Sequence, residues 1–142
     1  MAYDGYLIKL IAVDGTKAEI SPEYMRYDTY QITPDQRLDL DTGLRDLTGV
    51  MHRVVVQHTA TKIEFNTPAM DSVKFDALIN LLMSHVRNYW ERDVWLEYYD
   101  PETRGYKTGH FYIPDDPYKI RNVDVANRIV NYNEFRVAFI EY

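Results

Sequence analysis

Apolar and polar residues alternate along most of this chain, and a single helical stripe interrupts the alternation near its middle. Residues 6–13, read as Tyr-Leu-Ile-Lys-Leu-Ile-Ala-Val, predict a first strand, closed by the turn signal of Asp14 and Gly15. Residues 16–28 are mixed in polarity and carry Pro22, which predicts a loop or an irregular edge. Residues 28–32 predict a short strand ending at Thr33 and Pro34. The stretch 35–49 is polar and charged, with Leu38 and Leu40 alternating with Asp39 and Asp41, and it contains Gly43 and Gly49. It predicts a long exposed loop or arm, a length usually tied to function or to a partner. Residues 51–58 and 61–67 predict the two strands of a hairpin, with a break at Thr59 and Ala60 and with Ile63 and Phe65 on one face.

The helix is the clearest element. Phe75, Leu78, Ile79, Leu82, Met83 and Val86 recur at the spacing of one helical face. They predict an amphipathic helix over about 71–89, capped by Asp71 or Ser72 and packed on a sheet. Beyond it, 93–99 and 106–113 predict a hairpin whose turn, 100–105, carries Pro101. Residues 114–117, Pro-Asp-Asp-Pro, end it; 118–123 and 128–132 predict shorter strands. The last segment, 134–142, is apolar on both faces, which predicts a central strand. The fold class read from this pattern is mainly β (α+β): an antiparallel two-sheet β-sandwich or barrel-like domain over 1–142, with one amphipathic helix on a sheet. No repeat or linker marks a second domain.

Composition narrows the function. The 142 residues contain no cysteine, which excludes a disulfide scaffold, a Cys-ligated zinc site, an iron–sulfur cluster and a Cys nucleophile. A net charge of −6 argues against nonspecific nucleic-acid binding, which requires a basic face. No apolar run reaches the length of a membrane span, and the start lacks the basic segment of a signal peptide. The 13 Tyr, 5 Phe and 2 Trp tilt the reading toward strands and interfaces. Tyr98, Tyr99, Tyr106, Tyr112, Tyr118, Tyr132 and Tyr142 crowd the C-terminal half, where they could pack across strands, line a subunit interface or stack on sugars, in that order of weight.

Catalytic clusters are missing from the pattern. His52, His58, His85 and His110 have no metal-ligand spacing, and His52 and His58 read as ordinary strand residues. Asp35, Asp39, Asp41 and Asp46 lack the register of a calcium loop and read as a solvated or partner-facing segment. Glu97 and Glu141 lie in strands and read as outward-facing, although a glycosidase would need such a pair. No phosphate loop, nucleophile elbow or zinc-protease motif is present, so neither a cofactor nor an enzymatic activity is expected.

Several segments taken in order carry a resemblance: Leu-Arg-Asp-Leu-Thr-Gly-Val-Met-His-Arg at 44–53, Thr-Lys-Ile-Glu-Phe-Asn-Thr-Pro at 61–68 leading into the helix, Tyr-Tyr-Asp-Pro at 98–101, Gly-His-Phe-Tyr-Ile-Pro-Asp at 109–115, and Phe-Ile-Glu-Tyr at 139–142. This order resembles a family of small structural, tail-associated proteins of tailed phages and prophages of Gram-positive bacteria, over roughly residues 5–142. The resemblance implies a virion component with a tail-tube-like fold that assembles into a homo-oligomeric ring, hexameric in that fold. The role would be tail tube, tail completion or distal-tail (baseplate) adaptor. Its partners would be copies of itself and other tail proteins, with no membrane, and with DNA only as passing cargo. It transfers no catalytic residue. The alternative is a carbohydrate- or receptor-binding β-sandwich at the tail tip. Leu38, Leu40, Leu44, Arg45, Asp46, Leu47, Met51 and Arg53 are the candidate interface residues, because an arm of this kind can complete a neighbour's sheet.

Overall fold

The computed structural model describes residues 3–39, 47, 49 and 55–142. Seven antiparallel strands make one sheet: β1 (Ile8–Ile11), β2 (Lys17–Glu19), β3 (Gln31–Asp39), β4 (Val55–Asn66), β6 (Asp93–Asp100), β7 (Gly105–Tyr112) and β10 (Arg136–Glu141). Their spatial order is β2-β1-β6-β7-β10-β4-β3. Three short strands, β5 (Met70–Asp71), β8 (Ile120–Asp124) and β9 (Ile129–Tyr132), form a second sheet in the order β5-β9-β8. One α-helix, α1 (Ser72–His85), packs against β1 of the large sheet and β5 and β9 of the small one. The mainly β, two-sheet, one-helix class read from the sequence is the one observed.

Alternation builds the core. Cross-strand register places Leu10 beside Leu96, Val94 beside Phe111, and Val137 and Phe139 beside Phe65 and Ile63. All of these side chains are buried on one face of the large sheet. At about 25 cal/mol per Å² of apolar surface removed from water, this face is the main source of stability. β10 lies between β7 and β4, as its two apolar faces predicted, with Val137, Ala138 and Phe139 all buried.

The helix starts where its cap predicts and ends early. The Asp71 carboxylate accepts the Lys74 amide at 3.0 Å. Val86, expected inside the helix, is instead the extended residue that ends it, its N–H turned back to the Met83 carbonyl. The next amide, Arg87, donates to the Asp93 carbonyl, so the start of β6 draws the chain out of the helix. Leu78 and Leu82 are buried, while Phe75, Ile79, Met83 and Val86 are only partly so. Leu81, outside the predicted stripe, also packs on the core.

The largest departure is at 51–67. No hairpin breaks at Thr59 and Ala60: β4 runs unbroken from Val55 to Asn66, and residues 51–54 lie outside the described ones. Thr59 and Ala60 offer no Gly, Pro, Asn or Asp to supply a turn, and β-branched Thr favours the extended state. The irregularity falls instead on the partner strand. β3 passes through Pro34 to Asp39, with register shifts between Thr33 and Gln36 and between Arg37 and Asp39. Asp35 there adopts a left-handed φ of 48°. Pro34 is tolerated because β3 is an edge strand. The first residues of the predicted 35–49 loop therefore belong to a strand. The predicted loop or irregular edge at 16–28 holds β2 and a 3₁₀ turn, Pro22–Tyr24, and runs into a second, Tyr27–Thr29.

Candidate assembly interface

β10 pairs with β4 only over residues 62–66, whereas β3 pairs with β4 out to Val55. Among the described residues, β3 and the outer half of β4 thus leave the sheet as a two-stranded ribbon. A two-stranded ribbon alone is marginal in water, so its outer part draws little stability from the body. Of the candidate interface residues, Leu38 lies in β3 and Leu47 is fully exposed. Leu40, Leu44, Arg45, Asp46, Met51 and Arg53 lie outside the described residues, as do His52 and Gly43.

Polar contacts fix the root of the ribbon to the body. The Asp35 amide donates to Thr61 Oγ1 at 3.1 Å, and the Thr61 amide donates to Glu141 Oε1 at 3.0 Å. Lys107 Nζ lies 2.8 Å from Asp100 Oδ2 and 3.3 Å from Asp35 Oδ2, bridging β6, β7 and β3 across the inner face. Asp100 is 1% exposed. Burial pushes its carboxyl up, but the Lys107 ammonium and the Glu102 amide outweigh that and hold it below the usual range. Asp100 above all, with Asp35, raises the Lys107 ammonium. Glu141, expected to face outward, is drawn inward to Thr61. Its carboxylate fills the space beside Gly109, where an added Cβ would lie 2.7 Å from Glu141 Oε2.

The opposite face of the large sheet is aromatic. Trp95 stacks on His110 (4.8 Å, 13°), His110 on Tyr142 (4.4 Å, 23°), and Tyr6 on Tyr106 (4.4 Å, 24°). His110 Nε2 and Asp93 Oδ2 are 2.8 Å apart. That hydrogen bond, with the Asn88 amide, lowers the Asp93 carboxyl below its ordinary range. Glu97, also on this face, is bonded by Tyr6 and Lys17, which hold its carboxyl low. Beyond the sheet, Tyr89 (76% exposed), Trp90 (89%) and Val13 (84%) stand in solvent, as do Ile120, Val123 and Val125 of the β8–β9 hairpin. The α1–β6 loop and this hairpin were not singled out from the sequence. The unusual signal in the loop is the adjacent pair Tyr89 and Trp90 outside any alternation.

No group of three or more His, Asp or Glu among the described residues could hold a metal ion. A cleft of about 340 Å³ between α1 and the small sheet is lined by Met70, Asp71, Lys74, Arg121, Asn131 and Tyr132, with Asp71 already engaged as the helix cap. No helix of the described residues is long and apolar enough to cross a membrane.

No curated protein matches the chain. Among solved structures, it is similar to a chain of the "Virion of native gene transfer agent (GTA) particle", at 17% identity and a TM-score of 0.49, over 99% of this chain and 95% of that one. A family model described as a family of unknown function, DUF6711, matches residues 1–142, and the chain belongs to that family.

Proposed function

We propose that the protein is a structural subunit of a phage or prophage virion that assembles with copies of itself into a ring in the tail, and that it is not an enzyme. The observation that carries this reading is the β3–β4 ribbon, in which, among the described residues, the outer half of β4 pairs with β3 alone. A strand edge without a second neighbour templates pairing with another chain. The segment order that resembles tail-associated proteins of Gram-positive phages supports the same reading and adds the tube, completion or baseplate-adaptor roles and a hexameric ring. The net charge of −6 suits a lumen through which DNA passes without sticking, because like charges repel phosphate.

The sugar-binding alternative requires aromatic rings with free flat faces. On the aromatic face of the large sheet, Trp95, His110, Tyr142, Tyr6 and Tyr106 turn their faces onto one another, which counts against that face as a sugar platform.

Light scattering over a concentration series, followed by negative-stain imaging, tests the reading. The full chain is expected to form rings, and a variant in which residues 38–56 are replaced by an Asn-Gly turn is expected to stay monomeric while folding normally. Rings of unchanged size from the shortened variant would remove the ribbon from assembly. A full chain that stays monomeric at every concentration, alone or with isolated tails, would sink the subunit role.

A further inference from the structure

We infer that neighbouring copies of this chain pack head to tail along α1, with Trp90 and Glu91 of one copy seated in the cleft between α1 and the small sheet of the next, a contact that rests on the ring proposed above. The two halves of the contact lie at opposite ends of the helix. The cleft opens at its first turn, beside Asp71 and Lys74. Trp90 stands just beyond its other end, at His85. The 14 residues of the helix set the two about 21 Å apart, out of reach within one molecule. A prong at one end and a hole at the other make a heterologous contact, which builds a ring when the rotation between copies closes.

The prong is held rigid. Tyr89 and Trp90 are exposed, with their rings edge to face at 5.3 Å. The loop that carries them is closed by its own hydrogen bonds. The Trp90 amide donates to Asn88 Oδ1 at 3.0 Å, the Arg92 amide to the Asn88 carbonyl at 2.7 Å, and the Asn88 amide to Asp93 Oδ1 at 2.8 Å. Arg92 takes a left-handed φ of 53° to complete the turn, and its guanidinium is tied to Asp115. Two large rings held in water on an ordered loop lose little entropy when a partner covers them. Glu91 beside them is exposed and has no ion pair among the described residues.

The cleft complements that pair of residues in charge and in size. Met70, buried in the core, and Tyr132, stacked on Phe75 at 3.9 Å, give it an apolar side, and Lys74 and Arg121 give it two cations. Neither cation has an ion pair among the described residues, nor have the exposed Lys119 and Arg128 on and beside the β8–β9 hairpin. In a chain of net charge −6, four unpaired cations on one corner are a local excess that a carboxylate answers. Asp71, the one carboxylate lining the cleft, is engaged with the Lys74 amide. Asn131 Nδ2 donates to Asn122 Oδ1 at 2.7 Å, which leaves the Asn122 side-chain nitrogen to donate to a guest. An indole face is what an ammonium or guanidinium packs on, and about 340 Å³ holds one indole with a carboxylate beside it. Met70 follows the inner end of β4 at Asn66, and Val55 at its outer end lies about 36 Å away, so this contact is separate from that of the ribbon. The ring needs both.

Light scattering on two variants of the full chain, alone and mixed, tests the contact. Trp90→Ala with Glu91→Arg removes the prong and keeps the cleft, and Lys74→Glu with Arg121→Glu does the reverse. All four side chains are exposed, so both variants should fold as the wild type does. Each alone is expected to stay monomeric at concentrations where the wild type forms rings. Their equimolar mixture is expected to stop at a dimer, because one intact prong meets one intact cleft and neither end can add a third copy. A dimer in the mixture also shows that both variants are folded. Rings from either variant alone would overturn the contact and leave the ring role standing, with the cleft open to another ligand. A mixture that stays monomeric while both variants are folded by circular dichroism would overturn it too, as would a mixture that rebuilds full rings. A wild type that is monomeric at every concentration, alone or with isolated tails, would sink the ring role and this contact together.

Discussion

The two halves of β4 are one strand in two environments. From Thr61 to Asn66 it lies between β10 and β3, and Ile63 and Phe65 are buried in the core. From Val55 to Ala60 it has β3 alone, among the described residues. The backbone pattern is the same in both halves; only the neighbours differ. Strand formation is therefore dictated locally, by β-branched and alternating residues, whereas strand stability comes from what packs on the faces and edges. The body is stable because it is complete. Among the described residues the outer ribbon has one strand neighbour fewer than the body, and the proposed assembly would supply another.

Substitutions can separate the two environments. Phe139→Ala, at a fully buried site beside Ile63, should cost about 3–5 kcal/mol in urea unfolding and carry the ribbon down with the body. A loss below about 1 kcal/mol would mean that β10 is not the centre of the packing. Lys107→Met keeps the aliphatic stem but leaves Asp100 buried without its ammonium and Asp35 without its bridge. It should cost about 2 kcal/mol and speed amide exchange at Asp35 and Thr61 more than at Val94 or Leu96. Uniform acceleration at all four would show that the root does not hold the ribbon separately.

The smallest expected effect is on pH dependence. A carboxyl held below its ordinary range stabilises the fold above its unfolded pKa, near 3.9, and that contribution is lost as pH falls through the lower folded value. Asp93→Asn should therefore flatten the acid limb of the stability profile below about pH 4, with little change in ring formation. An acid limb identical to wild type would remove the His110 contact as a source of acid sensitivity. A change in assembly would tie the aromatic face to the interface.

How much was legible follows from distance along the chain. The helix was readable because its stripe and its cap, Asp71 to Lys74, lie within a few residues. Its end was not, because the Arg87 amide is taken by Asp93, a contact formed only once β6 is in place. The 93–112 hairpin was readable from its alternation and Pro101. The false hairpin at 51–67 came from reading a pause in hydrophobicity as a turn, although no turn-forming residue stood there. The ribbon root joins Asp35, Thr61, Asp100, Lys107 and Glu141 from five separate strand regions, and no local spacing links them.

By itself, then, the sequence determined the strand-rich class, the single helix, the centrality of 134–142 and the absence of cysteine chemistry. Each depends on periodicity or composition, which every local window carries. Only the tertiary structure decided which strands flank β10 and which carboxylates turn inward, Glu141 to Thr61 and Asp100 to Lys107. Those outcomes depend on register between strands distant in sequence, and register is fixed by burial of one face against another, not by any segment alone.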